Sequence, residues 1–185
     1  MKKNIIILLL IVFSNCLGQS INKEFQTFLL KYSSFSFPAN PTELLAERER
    51  KNEYKIINIS KIDYNKYLRE KGDSYWEFKE YFEYKYIGKK KYNNFWILIY
   101  YRGFLTDDVD KQRSEFILST FTLDGKMISS LPIAGGYGDS ITFSSKINDI
   151  SNISVNYREY KGDAERSYTK YYYIDDGFSI RNKQK

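Results

Sequence analysis

Two hydrophobic periodicities divide the chain. From Asn22 to Tyr32 the apolar residues Phe25, Phe28, Leu29 and Tyr32 recur at helical spacing, which predicts an amphipathic helix. Phe35-Ser36-Phe37-Pro38 then reads as an extended segment stopped by proline. Asn40-Pro41-Thr42-Glu43 has the form of a helix start, with Asn40 as cap and Pro41 at the first helical position. The charged stretch Leu44 to Glu53 fits a short helix or a solvated loop. Ser60-Lys61-Ile62-Asp63 suggests a second cap leading into a helix through Tyr67 and Leu68, closed by Gly72.

Beyond residue 80 the period becomes two. Phe82, Tyr84 and Tyr86 alternate with Glu83, Lys85 and Ile87, as in a half-buried strand. Phe95 to Tyr101 is continuously apolar, as in a central strand covered on both sides. Glu115 to Leu123 reads as the next strand, Asp124-Gly125 as a tight turn, and Lys126 to Leu131 as the strand pairing back. Ser140 to Phe143 suggests a short strand, and Ile153, Val155 and Tyr157 alternate in another. Tyr168 to Ile174 follows the turn Lys161-Gly162-Asp163, and Phe178 to Arg181 follows Asp175-Asp176-Gly177. The resulting expectation is an α+β fold. N-terminal helices precede an antiparallel β-meander of about seven or eight strands, forming a curved sheet or partly closed barrel.

The first twenty residues add a location. Lys2 and Lys3 precede the unbroken apolar run Ile5 to Phe13, and the small-residue stretch Ser14 to Ser20 follows. This is the layout of a secretory signal peptide, and the run is too short for a good membrane span of roughly 20 residues. Cleavage after Gly18 would start the mature chain at Gln19; lipidation at Cys16 is the alternative. The expected organisation is a signal peptide over residues 1–18 and one α+β domain over 19–185. The product would lie in the periplasm or outside the cell, free or as a lipid-anchored lipoprotein.

Composition narrows the chemistry. The only cysteine is Cys16, and the chain has no histidine. A chain cut after Gly18 would therefore hold together without disulfides, and Ser-His-Asp, Cys-His and His- or Cys-ligated zinc chemistry is excluded. The net charge of +6 falls by two when Lys2 and Lys3 leave with the signal. Basic residues also alternate with acids, as in Glu47-Arg48-Glu49-Arg50-Lys51, so no nucleic-acid partner is expected. No cofactor is expected either.

Several short motifs recur in a recognisable set: the Cys16-Leu17-Gly18-Gln19 signal end, the Phe25/Phe28 helix running into Phe37-Pro38, the strand end Tyr86-Ile87-Gly88-Lys89, and the hairpin Thr120-Phe121-Thr122-Leu123-Asp124-Gly125-Lys126. In these the chain resembles a broad group of uncharacterised exported proteins of Bacteroidota. The resemblance implies an envelope or secreted location. It carries no activity and no catalytic residues.

Four candidate features remain. The Gly-rich segment Gly135-Gly136-Tyr137-Gly138-Asp139-Ser140 matches neither a Walker loop nor GxGxxG and reads as an exposed strand connection. Asp107, Asp108 and Asp110, with Glu115 beyond, offer oxygen ligands but not the spacing of an EF-hand. Lys89-Lys90-Lys91 reads as a basic hairpin tip between aromatic strands. The aromatics crowded between Tyr64 and Tyr101 suggest packed sheet faces or a stacking platform for sugars or bases. These features favour an exported, non-catalytic protein that binds a protein or glycan partner through its sheet face or loops. A carboxylate-dependent hydrolase of cell-wall or polysaccharide substrates is one alternative, and a structural component of a surface complex is another.

Overall fold

A computed structural model of the chain describes residues 22–51, 58–70, 72, 74–79 and 81–183. The signal region, with Cys16, Gly18 and Gln19, lies outside the described residues. Helix α1 (Lys23–Leu30) is capped by the Asn22 side chain, which accepts from the Phe25 amide, and it buries Phe25, Phe28 and Leu29. Strand β1 is only Ser33–Ser34. Helix α2 (Pro41–Arg50) starts as its residues dictate: Asn40 accepts from the Thr42 amide, and Pro41 fills the first turn. The stretch that read as helix or loop is therefore helix as far as Arg50. Helix α3 (Lys61–Asp63) is capped by Ser60 and continues as the π-helical turn Tyr64–Leu68. It ends at Leu68, before Gly72.

Eight further strands follow: β2 (Glu83–Tyr92), β3 (Phe95–Phe104), β4 (Arg113–Thr122), β5 (Met127–Tyr137), β6 (Ile141–Asp149), β7 (Asn152–Lys161), β8 (Ala164–Ile174) and β9 (Ile180–Asn182). They form one sheet in sequential order, β1 to β9. All pairings from β2 onward are antiparallel, while β1 joins β2 in parallel. The sheet thus has nine strands rather than seven or eight, is mixed rather than purely antiparallel, and is not closed into a barrel. The extra strand is a two-residue pairing of the segment after α1, too short to leave an alternating pattern. The expected Ser140 to Phe143 strand is in fact the nine-residue β6. Its later residues alternate buried Ser145 and Ile147 with exposed Lys146 and Asp149, a weaker apolar signal than a Val- or Ile-rich run.

Alternation along β3 divides the interior into two cores. Ile97, Ile99 and Tyr101 face one side of the sheet, and Leu98 and Tyr100 the other. β4 repeats the division, with Phe116 and Leu118 on the first side and Ile117 and Phe121 on the second. The second core is closed by α1 and the π-helical turn, through Phe25, Phe28, Tyr67 and Leu68. Each fully buried Leu or Ile contributes about 1.5–3 kcal/mol, so the run from Ile97 to Tyr100 anchors both layers. A bulge in β2 makes the two-sided arrangement possible. Tyr86 pairs with Tyr100 but Gly88 pairs with Ile99, so Ile87 is the extra residue and turns to the first core while Tyr84 and Tyr86 stay in the second. The buried Arg48 guanidinium holds this bulge, donating to the carbonyls of Tyr86 at 2.8 Å, Ile87 at 3.3 Å and Lys31 at 3.1 Å.

The first core is closed by the sheet itself. Phe143, Ile147, Ile153, Val155, Tyr172 and Ile174 of β6–β8 cluster with Ile97, Ile99, Phe116 and Leu118, so the sheet curls over that face. β5 pairs with β6 only through Gly135, Gly136 and Tyr137. A strap runs from Ser33 to Ala39: it pairs with β2 at Ser33–Ser34, and Ala39 exchanges two backbone hydrogen bonds with Ile147 of β6. The Thr120 hydroxyl donates to the Phe178 carbonyl, and the Ile180 amide to Ser129 Oγ. These contacts seat the C-terminal turn against the curled sheet.

Candidate binding groove

Along β6, β7 and β8 successive side chains alternate between the two faces of the sheet, and the strands pair in register. Thr142, Arg158 and Ser167 form one cross-strand row on the outer face, and Ser144, Asn156 and Thr169 a second. Between the rows, Phe143, Tyr157 and Tyr168 point to the opposite face. These nine residues line an open cavity of about 380 Å³. Six hydrogen-bonding side chains and the aromatic row between them line it together. Thr169 Oγ1 donates to Asn156 Oδ1 at 2.7 Å, and Arg158 pairs with Glu165 at 3.2 Å.

The aromatic row is stiff. The Phe143 and Tyr157 rings are 5.6 Å apart and 21° from parallel, and those of Tyr157 and Tyr168 are 5.1 Å apart and 14° from parallel. Tyr137 extends the ladder at 5.6 Å from Phe143. Lys170 Nζ lies over the rings of Tyr157 and Tyr168, and Arg166 over Tyr168. Burial, followed by a hydrogen bond to Tyr172, pushes the Tyr157 hydroxyl up, while a hydrogen bond to Glu159 raises that of Tyr168. Both remain neutral. Their ring faces are covered by each other and by cations, so the ladder supports the groove from behind and is not a stacking surface.

The expected stacking platform between Tyr64 and Tyr101 is mostly core, with Tyr81 exposed and Tyr75, Phe78, Tyr92 and Trp96 half-buried. Tyr64, Tyr67, Trp76, Phe82, Tyr84, Tyr86, Phe95, Tyr100 and Tyr101 are all buried. Burial pushes the Tyr101 hydroxyl up to about 12.

Two buried acids are candidates for chemistry, and both are fixed in structural networks. Asp63 Oδ2 accepts from Lys31 at 2.5 Å, Tyr86 at 2.5 Å and Ser60 at 2.8 Å. Burial would raise its pKa, but these three donors outweigh burial and hold the carboxyl below its ordinary range. Glu115 accepts from Arg102 Nε at 2.5 Å and from the Tyr137 hydroxyl, with Arg102 lying 4.7 Å above the Trp76 ring. A glycosidase general acid needs a raised carboxyl. Among the described residues the carboxyls with shifted proton affinity, Glu47, Asp63, Asp108, Asp149 and Asp175, are all shifted down.

The motifs singled out in the sequence fall elsewhere. Gly135, Gly136 and Tyr137 are the end of β5 and not a loop; only Gly138 to Ser140 form the connection. Gly135 must be glycine, since its φ is +142° and a Cβ there would lie 1.9 Å from the Ser114 carbonyl oxygen. Lys89, Lys90 and Lys91 belong to β2 and not to its turn, because the hairpin turns at Asn93-Asn94 instead. Lys89 donates to the Leu29 carbonyl at 2.6 Å, and burial, then the charge of Arg48, lowers its pKa. Lys90 covers the Phe37 ring, and Lys91 the Trp96 ring. Asp107, Asp108 and Asp110 are exposed, Asp108 pairing with Lys111 at 2.6 Å, while Glu115 is buried with Arg102. Among the described residues no group of three or more acidic side chains is arranged to hold a metal ion.

Sequence reasoning missed the groove residues Thr142, Ser144, Asn156, Arg158, Ser167 and Thr169. The outward half of each alternation was readable, but it becomes a cavity only when three strands are laid in register. Comparison of the chain with protein-family models, with curated proteins and with solved structures gives no match.

Proposed function

We propose that this chain is an exported, non-catalytic binding protein whose ligand lies in the β6–β8 groove, and that the ligand is a neutral glycan. The observation that carries this reading is the groove wall. Five of its six side chains, Thr142, Ser144, Asn156, Ser167 and Thr169, are uncharged hydrogen-bonding groups, and the sixth, Arg158, is paired with Glu165. Such a surface matches the hydroxyl-rich edge of a saccharide. Export, read from residues 1–20, places the protein where such polymers occur. The downward-shifted carboxyls favour binding over hydrolysis.

Calorimetric titration with defined neutral oligosaccharides of four to six sugars tests the proposal. Binding that weakens about tenfold or more in Asn156→Ala, through loss of one to two hydrogen bonds, is the expected result. Absence of binding at millimolar concentration, or binding indifferent to Asn156→Ala and Arg158→Ala, would overturn it.

A further inference from the structure

The two ends of the sheet are finished differently. The outer edge of β2 is covered by Ser33–Ser34 and by residues 58–59, where Asn58 bridges Lys85 and the Ile59 amide donates to the Tyr84 carbonyl at 2.8 Å. The outer edge of β8 is covered only at its C-terminal end. β9 pairs with Tyr172, Tyr173 and Ile174, and the Lys183 amide donates to the Tyr171 carbonyl at 2.8 Å. From Ala164 to Lys170, β8 pairs with β7 on one side and with no strand on the other among the described residues.

Antiparallel alternation identifies the free groups. Because the Tyr171 carbonyl points to the β9 side, the amides and carbonyls of Thr169, Ser167 and Glu165 point the same way. Three donors and three acceptors thus face outward in a row, a template for another strand. The seven-residue segment is bounded by the hairpin turn at Gly162-Asp163 and by Lys183 on Tyr171, and its centre is Ser167.

We propose that this edge docks a second copy of the same chain, β8 against β8 in antiparallel fashion about a twofold axis at Ser167. The register follows from the bounds and the charges. With Ser167 opposite Ser167, the whole segment pairs: Glu165 faces Thr169, Arg166 faces Tyr168, and Ala164 faces Lys170. No like charges meet. A shift by one residue to a centre at Tyr168 sets Arg166 against Lys170 twice, and a centre at Arg166 sets it against itself; both are unfavourable. The central register also sets each copy's hairpin turn just short of the other copy's β9. Arg166 brings a cation to the Tyr168 ring of its partner.

The axis is normal to the sheet, so both outer faces point the same way. Ser167 and Thr169 stand at the axis and line the groove of each copy, so pairing joins two grooves into one. The pairing stands on the edge geometry alone; only the use of the joined groove rests on the glycan reading above.

Sedimentation of the full chain over a wide concentration range, with amide hydrogen exchange, tests the proposal. The expected result is a dimer in which the amides of Glu165, Ser167 and Thr169 are protected, their protection vanishing on dilution. Ser167→Pro deletes an amide that β7 does not use, so the monomer fold survives, as far-ultraviolet circular dichroism would verify. It removes both hydrogen bonds at the axis and should weaken dimerisation at least about thirtyfold. Arg166→Glu is the second variant: it sets a carboxylate in place of the guanidinium against the Tyr168 ring face and should also weaken the dimer. A chain monomeric at the highest concentration would overturn the proposal, as would a dimer indifferent to Ser167→Pro. Protection of the three amides in a monomer would assign the edge to another segment of the chain and overturn it equally. Glycan titration is read separately, so failure of either idea leaves the other measurable.

Discussion

The β3–β4 region and the β7–β8 arm are built from the same pleat and differ in how many faces are covered. In β3 every residue from Ile97 to Tyr100 is at most 1 % exposed, because each side of the strand has its own core. In β7–β8 the inner side chains are buried in the first core only as far as Val155 and Tyr172, with Tyr157 half-buried against it, and the outer face meets solvent throughout. A strand covered twice is a scaffold in which a charged residue needs an assigned partner, as Arg102 has Glu115. A strand covered once, and at its end not at all, keeps its polar side chains and its backbone edge free for other molecules. In this molecule the proposed binding surface lies where packing stops.

The contrast can be broken most strongly at the buried ion pair. Arg102→Met leaves the Glu115 carboxylate buried without its cation and should cost about 3–5 kcal/mol in urea unfolding. The pair Arg102→Met with Glu115→Leu should recover most of that loss. Arg158→Ala, which breaks the exposed pair with Glu165, should change stability by no more than about 0.5 kcal/mol. Equal effects in the two regions would end the comparison.

The glycines offer a second, smaller contrast. Gly135→Ala meets both a left-handed φ and the Ser114 carbonyl, and should cost about 3 kcal/mol or more. Gly162→Ala, at φ +59° in the open hairpin turn with nothing within 4 Å, should cost about 1 kcal/mol from backbone strain alone. Thermal unfolding of the two variants compares them directly.

The smallest expected effect is a pH dependence. Asp63 is held below the usual aspartate value of about 3.9. A carboxyl whose folded pKa is depressed adds stability above its unfolded pKa and loses it as the pH falls through the folded one. The acid limb of the stability curve, below about pH 4, should therefore flatten in Asp63→Asn relative to the parent chain. Urea midpoints between pH 2 and pH 7 would show whether the difference exists.

How much of this was legible depended on whether the signal was local. The Asn40 and Ser60 caps, the Phe25/Phe28 helix, the turns at Asp124-Gly125 and Gly162-Asp163, and the doubly covered β3 all rest on neighbouring residues, and the structure bears them out. The errors arose where a distant contact decides. Ser33–Ser34 became a strand because Gly88 and Lys89 lie beside it, and Gly88 lets Phe35 pack close, since a Cβ there would lie 2.8 Å from that ring. The lysines at 89–91 read as a turn by their charge, yet they are strand residues: the amines of Lys90 and Lys91 lie over the Phe37 and Trp96 rings, and that of Lys89 donates to the Leu29 carbonyl. The Gly135-Gly136 pair read as a loop by composition, but in β5 it marks close approach to Ser114.

By itself, the sequence determined the order of the main elements, the sequential meander, several of the caps and turns, and the absence of histidine and disulfide chemistry from the described chain. These follow from dihedral preference and the spacing of apolar residues, which act over a few positions. Only the tertiary structure decided that the sheet curls over one core while helices close the other, that Arg48 and Arg102 are buried and held, and that six scattered polar residues wall one groove. It also decided that β8 keeps seven residues of free edge. Those outcomes depend on register and curvature, which are set by contacts between residues tens of positions apart.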